Sequence, residues 1–314
     1  MQNVADFYGL GALQNTSAKG YTCGRGQRRF RCEINSKEFF INDLKFILSY
    51  SVLDHAGEPC VSRMDLTKLI EPVMRPSRIK GAEVVKTVVL DAGHGGHDNG
   101  AWSPYGHEKT FTLDVVYRTK KLLEIQGYRV VLTRSSDTFI PLYDRSRIAN
   151  RYENAIFISV HFNSGGAGTG LETYTLAPRG VPSMMADGPS VGDLVQSAGN
   201  INDAQNTALA TATHAAQVVR TKLYDRGIKR ARFVVLRETQ IPAVLLEGGF
   251  LSNSYDAKII AMPEYRQQMA ASIVTAVNNY RRAVGGVSPA VAQQESGTAP
   301  QVRLNGTPVS PSAN

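Results

Sequence analysis

No run of about eighteen or more apolar residues occurs in the 314-residue chain, which excludes an ordinary membrane-spanning helix. Cysteine is scarce: Cys23, Cys32 and Cys60 stand outside any CxxC spacing, and the nearest histidine is the isolated His55, so no cysteine-zinc site is expected. Cys23 and Cys32 flank a basic stretch, where they either close a small disulfide loop in an oxidising compartment or remain unpaired thiols. The start, MQNVADFYGL, lacks the basic segment and following apolar run of a secretory signal. Either export by that route is not used, or the start lies downstream of a leader. What the chain does carry is an excess of positive charge, 35 Lys and Arg against 27 Asp and Glu, for a formal +8. That balance favours an acidic partner, whether nucleic acid, anionic lipid or an anionic wall polymer. The basic cluster GRGQRRFR (24–31) interleaves only Phe30 and opens no DNA- or RNA-binding module, so nucleic acid is not the expected partner.

Composition changes along the chain. Residues 1 to about 20 show no periodicity and read as a loose terminus. From FFINDLKFILSYSVLD to GEPCVSRMDLTKLI, short β-rich runs are separated by Asp, Gly and Pro turns, as in a small strand-dominated module. EPVMRPSRIKGAE (71–83) reads as a linker. Strands and amphipathic helices then alternate: strand 84–93, helix 108–127, strand 128–134, helix 141–154, strands 155–161 and 171–176, helix 206–225, strands 232–237 and 242–249, helix 263–284. This pattern predicts an α/β fold, a mainly parallel mixed sheet flanked by helices on both faces. A small N-terminal β-rich domain and linker would occupy 1–82 and the catalytic domain 83–285. Beyond Gly285 the composition cannot bury a core, so 286–314 is expected to be a disordered tail.

In open α/β sheets ligands gather outside the carboxyl ends of the strands. Three predicted strands end there in polar groups: VVLDAGH in His94, FISVH in His161 and VLLEGG in Glu247. Glu108 opens the helix that follows the first of them. Two imidazoles and a carboxylate make a three-ligand site for catalytic zinc with one position open, and a further acidic group beside it has the chemistry of a general base. Gly93, Gly95 and Gly96 would let the backbone turn sharply and leave space beside the metal. Asp91 is placed to accept a ring N–H and fix a histidine tautomer.

Each residue alone has a plainer reading. A histidine at a strand end is commonly just hydrogen-bonded, Glu108 suits a helix N-terminus, and Glu247 would serve in a structural ion pair. The case rests on all four arriving together. His97 and His107 are read as polar rim residues, and His55 and His214 as structural.

The blocks VVLDAGHGGHDNGA, HEKTFTLDVVYRTKKLLEIQGYRVVLTR, FISVHFNS, LETYTL and RGIKRARFVVLRETQIPAVLLEGGFLSN occur in an order that resembles the zinc-dependent N-acetylmuramoyl-L-alanine amidases of the amidase_3 class, over about residues 84–284. Ala92 and Asn99 stand where that family has proline, and Phe162 and Ser164 where alanine is common. The resemblance implies zinc held by His94, Glu108 and His161, with Glu247 as catalytic acid/base. It implies hydrolysis of the amide between the lactyl group of N-acetylmuramic acid and the L-alanine of the stem peptide of peptidoglycan. His97, Asn163, Arg226 and Lys229 are candidate substrate contacts; for the cations, a solvated basic face is the alternative. In some relatives an extra segment covers the zinc. The corresponding 177–205 stretch here is expected to be a mobile loop on the substrate side. Residues 38–70 resemble, over a short stretch, the small β domain at the amino end of copper amine oxidases and of some wall amidases, which implies an accessory role toward the wall or an envelope partner. The substrate implies a periplasmic or envelope location. The rival functions are a zinc endopeptidase acting within the stem peptide and a non-catalytic wall-binding protein.

Overall fold

The apolar run TVVLDA becomes a strand, Thr87–Ala92, in which every residue is buried. Its β-branched residues suit a pleated surface covered on both sides, and alternate side chains feed two separate cores. The computed structural model describes residues 1–25, 28–82, 84–184 and 190–285. Among these, eleven strands form one sheet. They are β1 (Gln14–Asn15), β2 (Gly20–Arg25), β3 (Arg28–Glu33), β4 (Glu38–Ile41), β5 (Leu44–Ile47), β6 (Thr87–Ala92), β7 (Arg129–Leu132), β8 (Ala155–Asn163), β9 (Leu171–Leu176), β10 (Asp225–Ala231) and β11 (Ala243–Phe250). Their spatial order is β1-β2-β3-β4-β5-β10-β9-β11-β8-β6-β7.

The main helices are α1 (Glu108–Ile125), α2 (Leu142–Ala149), α3 (Asp203–Thr221), the single turn α4 (Val234–Arg237), α5 (Ser254–Ile260) and α6 (Pro263–Val284). Val88, Leu90, Ile156, Ile158, Val244 and Leu246 pack under Val115, Leu209 and Ile273 of α1, α3 and α6. Val89, Phe157 and Leu245, one residue out of phase, pack under Ala149, Val235 and Leu236 of α2 and α4. Each of the Val, Leu, Ile and Phe side chains among these contributes roughly 1.5–3 kcal/mol by leaving water. The two-faced, mainly parallel sheet expected from the sequence is therefore present.

Strand direction sets the location of the site. β7, β6, β8 and β11 run parallel, whereas β9 runs antiparallel to β11 and parallel to β10. The carboxyl ends of β6, β8 and β11 consequently share one end of the sheet with the amino ends of β9 and β10.

Several expectations are corrected. The 232–237 strand is instead the end of a loop and the turn of α4, and the strand lies just before it, at Asp225–Ala231. Residues 1–20 are not a loose terminus: they carry a short helix, Gln2–Phe7, and β1, which with β2 and β3 joins a sheet continuous with the rest through β5, paired with β10 at Phe46 and Ile228. The 71–83 stretch carries a helical turn, Glu71–Met74, and a 3-10 turn, Pro76–Arg78, with Pro72 buried. The expected tail at 286–314 lies outside the described residues. Of the two alternatives open for Cys23 and Cys32, a disulfide or unpaired thiols, the structure has buried free thiols.

Candidate metal centre

β6 ends at Ala92, and the chain turns at once through Gly93 and His94. A Cβ on Gly93 would lie 2.3–2.6 Å from ring atoms of His161, so only glycine lets this strand end pass the neighbouring imidazole. The left-handed backbone belongs to His94 itself, with φ at +60°, a conformation that costs a non-glycine residue energy and needs outside support. That support comes from arginine. Arg145 on α2 donates to the carbonyls of His94 (2.8 Å) and Ala92 (2.7 Å), and Arg134 donates to those of Ala92 (2.9 Å) and Gly93 (2.8 Å).

His94 Nε2 lies 3.0 Å from Glu108 Oε2, and His161 Nδ1 lies 2.9 Å from Glu108 Oε1. One ligand atom from each of the three residues falls within 4.8 Å of the others. Glu108 is 3% exposed, and its carboxylate also accepts from the Ala101 and Phe162 amides. Burial acts to raise its pKa, but His161 and His94 outweigh burial and hold it far below the ordinary carboxylate value. Burial likewise acts to lower the His94 imidazole pKa, while Glu108 and Asp98 more than reverse it. Asp98 Oδ2 sits 2.8 Å from His94 Nδ1, an arrangement that favours a proton on that nitrogen and leaves Nε2 the atom available to a metal.

Glu247 is the lateral neighbour of His161 across β8 and β11, and Glu172 is the lateral neighbour of Glu247 across β11 and β9. Laterally paired residues point to the same face, so the three side chains form a row on the α2 side. Part of Glu247 reaches the surface, but its Oε2 is enclosed and has no hydrogen-bond partner. Burial, then the Glu108 and Glu172 charges, push the Glu247 carboxyl well above its ordinary value, with Lys229 opposing. Glu172 differs: it accepts from Arg226 Nε (2.6 Å), Tyr174 Oη (2.7 Å), Asn163 Nδ2 (3.0 Å) and Lys229 Nζ. Here burial is outweighed by Lys229, Arg226 and Tyr174, and the pKa is lowered.

The expected site residues thus fall in different places. His94, Glu108 and His161 converge, with Glu247 on the adjacent strand. Asp91 does not reach a histidine ring. Its carboxylate binds Arg145 (2.9 Å), Thr133 (2.6 Å) and Ser159 (2.7 Å), so it supports the His94 backbone through Arg145, while Asp98 takes the tautomer-fixing place. Asp98 lies four residues after His94, and the left-handed turn brings it round to the ring. His97 is exposed and packs on Phe139 with ring centroids 4.3 Å apart. Asn163, Arg226 and Lys229 meet at Glu172, a residue that sequence reasoning missed; its signal was a carboxylate inside an otherwise buried strand, LETYTL. His214 is fully buried between Thr173 and Asp225, in keeping with a structural role.

The 177–205 segment leaves β9 at Leu176, the end of the sheet away from the histidines. Its described parts are anchored there by Asp193 to Arg232 and by Asn200 to the Ala177 carbonyl. The substrate-side placement expected for it is corrected by the antiparallel course of β9. Chemically, two imidazole nitrogens and a carboxylate oxygen, with the enclosed, unpartnered Glu247 Oε2 on the next strand, fit a zinc ion.

The chain is similar to known proteins over the residues that carry this centre. The family model Amidase_3, N-acetylmuramoyl-L-alanine amidase, matches residues 88–279. The N-acetylmuramoyl-L-alanine amidase AmiA of Escherichia coli (strain K12) is 31% identical over 224 residues, 62% of this chain and 76% of its own. The solved catalytic domain of CwlV, an N-acetylmuramoyl-L-alanine amidase from Bacillus (Paenibacillus) polymyxa, is 33% identical with a TM-score of 0.52, over 62% of this chain and 98% of that one. An N-acetylmuramoyl-L-alanine amidase from Clostridium difficile 630 is 31% identical with a TM-score of 0.51, over 63% and 97%.

Proposed function

The chain belongs to the Amidase_3 family of N-acetylmuramoyl-L-alanine amidases, and from that premise we propose how its own residues carry out the hydrolysis. The family acts on peptidoglycan at the cell envelope, and among the described residues no helix is long and apolar enough to cross a membrane. His94 Nε2, Glu108 and His161 would hold one zinc ion, with Asp98 fixing the His94 tautomer. When bound, zinc supplies Lewis acidity, polarising the scissile carbonyl and lowering the pKa of a water molecule. Glu247 takes a proton from the attacking water and delivers it to the departing amine of L-alanine, leaving the lactyl carboxylate on the sugar. A carboxyl in an enclosed site beside two other carboxylates is suited to hold that proton between the two transfers.

Arg226 and Lys229 share the single carboxylate of Glu172, so one positive charge in that group is left to meet an acidic group of the stem peptide. Asn163 lies beside them, and His97, exposed on the rim, is a further substrate contact. The enzyme works outside the cytoplasmic membrane, and the strands of residues 14–47 add a surface toward the wall or an envelope partner. The observation that carries the catalytic reading is the three-ligand cluster within 4.8 Å with Glu247 on the next strand. Mass spectrometry of digested sacculi tests it. Release of intact stem peptides with a free L-alanine amine supports it, and cuts only inside the stem peptide overturn it.

A further inference from the structure

At the other end of the sheet, two parallel neighbours part company. β5 and β10 pair at Phe46 and Ile228, after which β5 follows β4 and β10 follows β9. Where adjacent parallel strands diverge at their carboxyl ends, a crevice opens that suits a ligand. Here it is a cavity of about 640 Å³, within the range of small-ligand sites.

Its walls are mainly apolar, from Leu48, Leu53, Val61 and Val181, yet among the described residues its lining includes Arg230 and Lys37 and no carboxylate. Arg230 is 2% exposed. Its Nη1 donates to Ser49 and to Asp65 Oδ1 (2.9 Å), while its buried Nη2 has no acceptor at all. An unpaired guanidinium nitrogen out of water is costly unless something supplies an acceptor. Four serines, Ser49, Ser51, Ser62 and Ser183, also line the crevice. Such a surface suits the amide groups of a peptide better than a bare hydrocarbon chain.

We propose that this crevice binds the carboxy-terminal end of a peptide with apolar last residues, the carboxylate reaching Arg230 near the Lys37 rim and the side chains filling the apolar walls. The site is separate from the metal centre, at the opposite end of the strands, and goes beyond the hydrolytic role.

Calorimetric titration of the full zinc-loaded chain with N-acetyl-alanyl-leucyl-leucine tests it, against the same peptide as its carboxamide and against dodecanoate. The free acid is expected to bind one to one, and the carboxamide about tenfold more weakly, for loss of the charge-assisted contact. R230M is expected to abolish binding. Because Arg230 is also a buried partner of Asp65, the double variant K37E/L53D, both at exposed positions, serves where R230M does not fold, and it is expected to weaken the acid several-fold at an unchanged melting temperature. Equal binding of acid and carboxamide, or wild-type binding by K37E/L53D, overturns the proposal. Tighter binding of dodecanoate than of the peptide acid overturns the peptide assignment.

Discussion

Gly93→Ala perturbs the proposed centre by a single methyl group. Gly93 is outside the left-handed region, and the nearest obstacle to a side chain there is the His161 ring, at 2.3–2.6 Å from the new Cβ. Carbon atoms rest at about 3.5–4.0 Å, so the ring must retreat by roughly 1 Å. It has little freedom to do so, because Nδ1 is tied to Glu108 and the strand beneath is locked between β6 and β11. A displacement of about 1 Å at a positioning group costs on the order of 10²-fold in rate. The expected outcome is a folded protein whose zinc is lost at chelator concentrations the wild type withstands, and whose digestion of sacculi slows by about two orders of magnitude. Metal content after dialysis, digestion rate and the thermal melt measure the three parts separately. Wild-type zinc retention and rate in G93A would refute the placement of His161.

Three further outcomes follow from the same contacts. Asp98→Asn releases the His94 tautomer and should lower zinc affinity about 10–100-fold with the melting temperature unchanged, read by competition with a fluorescent chelator. Arg145→Met strands the fully buried Asp91 and frees the strained His94 carbonyl; urea unfolding should show a loss of about 3–5 kcal/mol. In metal-free protein, Glu247 has a folded pKa above its unfolded value, so it binds a proton that the unfolded chain has released and costs stability as pH rises through that window. Glu247→Gln should therefore stabilise the chelator-treated protein at neutral pH and not at acid pH, as urea titrations at the two pH values will show. Glu172 has the opposite sign: its lowered pKa gives stability that is lost as pH falls through its folded value.

The sheet and its helices were legible because their signals are local. VVKTVVL, AIFISVH and PAVLLEGG are apolar runs of strand length, and the last helix begins at Pro263 as its sequence indicates. β10 was not legible. RGIKRAR reads as a solvated basic face, and Arg230 is buried only because Asp65, 165 positions earlier, meets it. Likewise nothing in 14–33 shows that these strands extend the main sheet, since that junction is a long-range pairing at Phe46 and Ile228. At the centre, His94, His161 and Glu247 could be read from strand ends and Glu108 from the start of a helix. That Asp98, and not the expected Asp91, reaches the His94 ring could not, because it depends on the left-handed turn at His94. Nor could the gathering of Arg226, Lys229 and Asn163 at Glu172, which needs β9 to run against β11.

The central claim is that zinc binding and proton transfer reside in different residues on adjacent strands. Zinc stoichiometry measured alongside sacculus digestion for wild type, His161→Ala and Glu247→Ala tests it most directly. The expected result is one zinc per chain in the wild type and in E247A, with E247A slowed by about 10²–10⁴-fold or more, and neither zinc nor activity in H161A. Digestion by E247A at the wild-type rate, or full zinc occupancy in H161A, would contradict it.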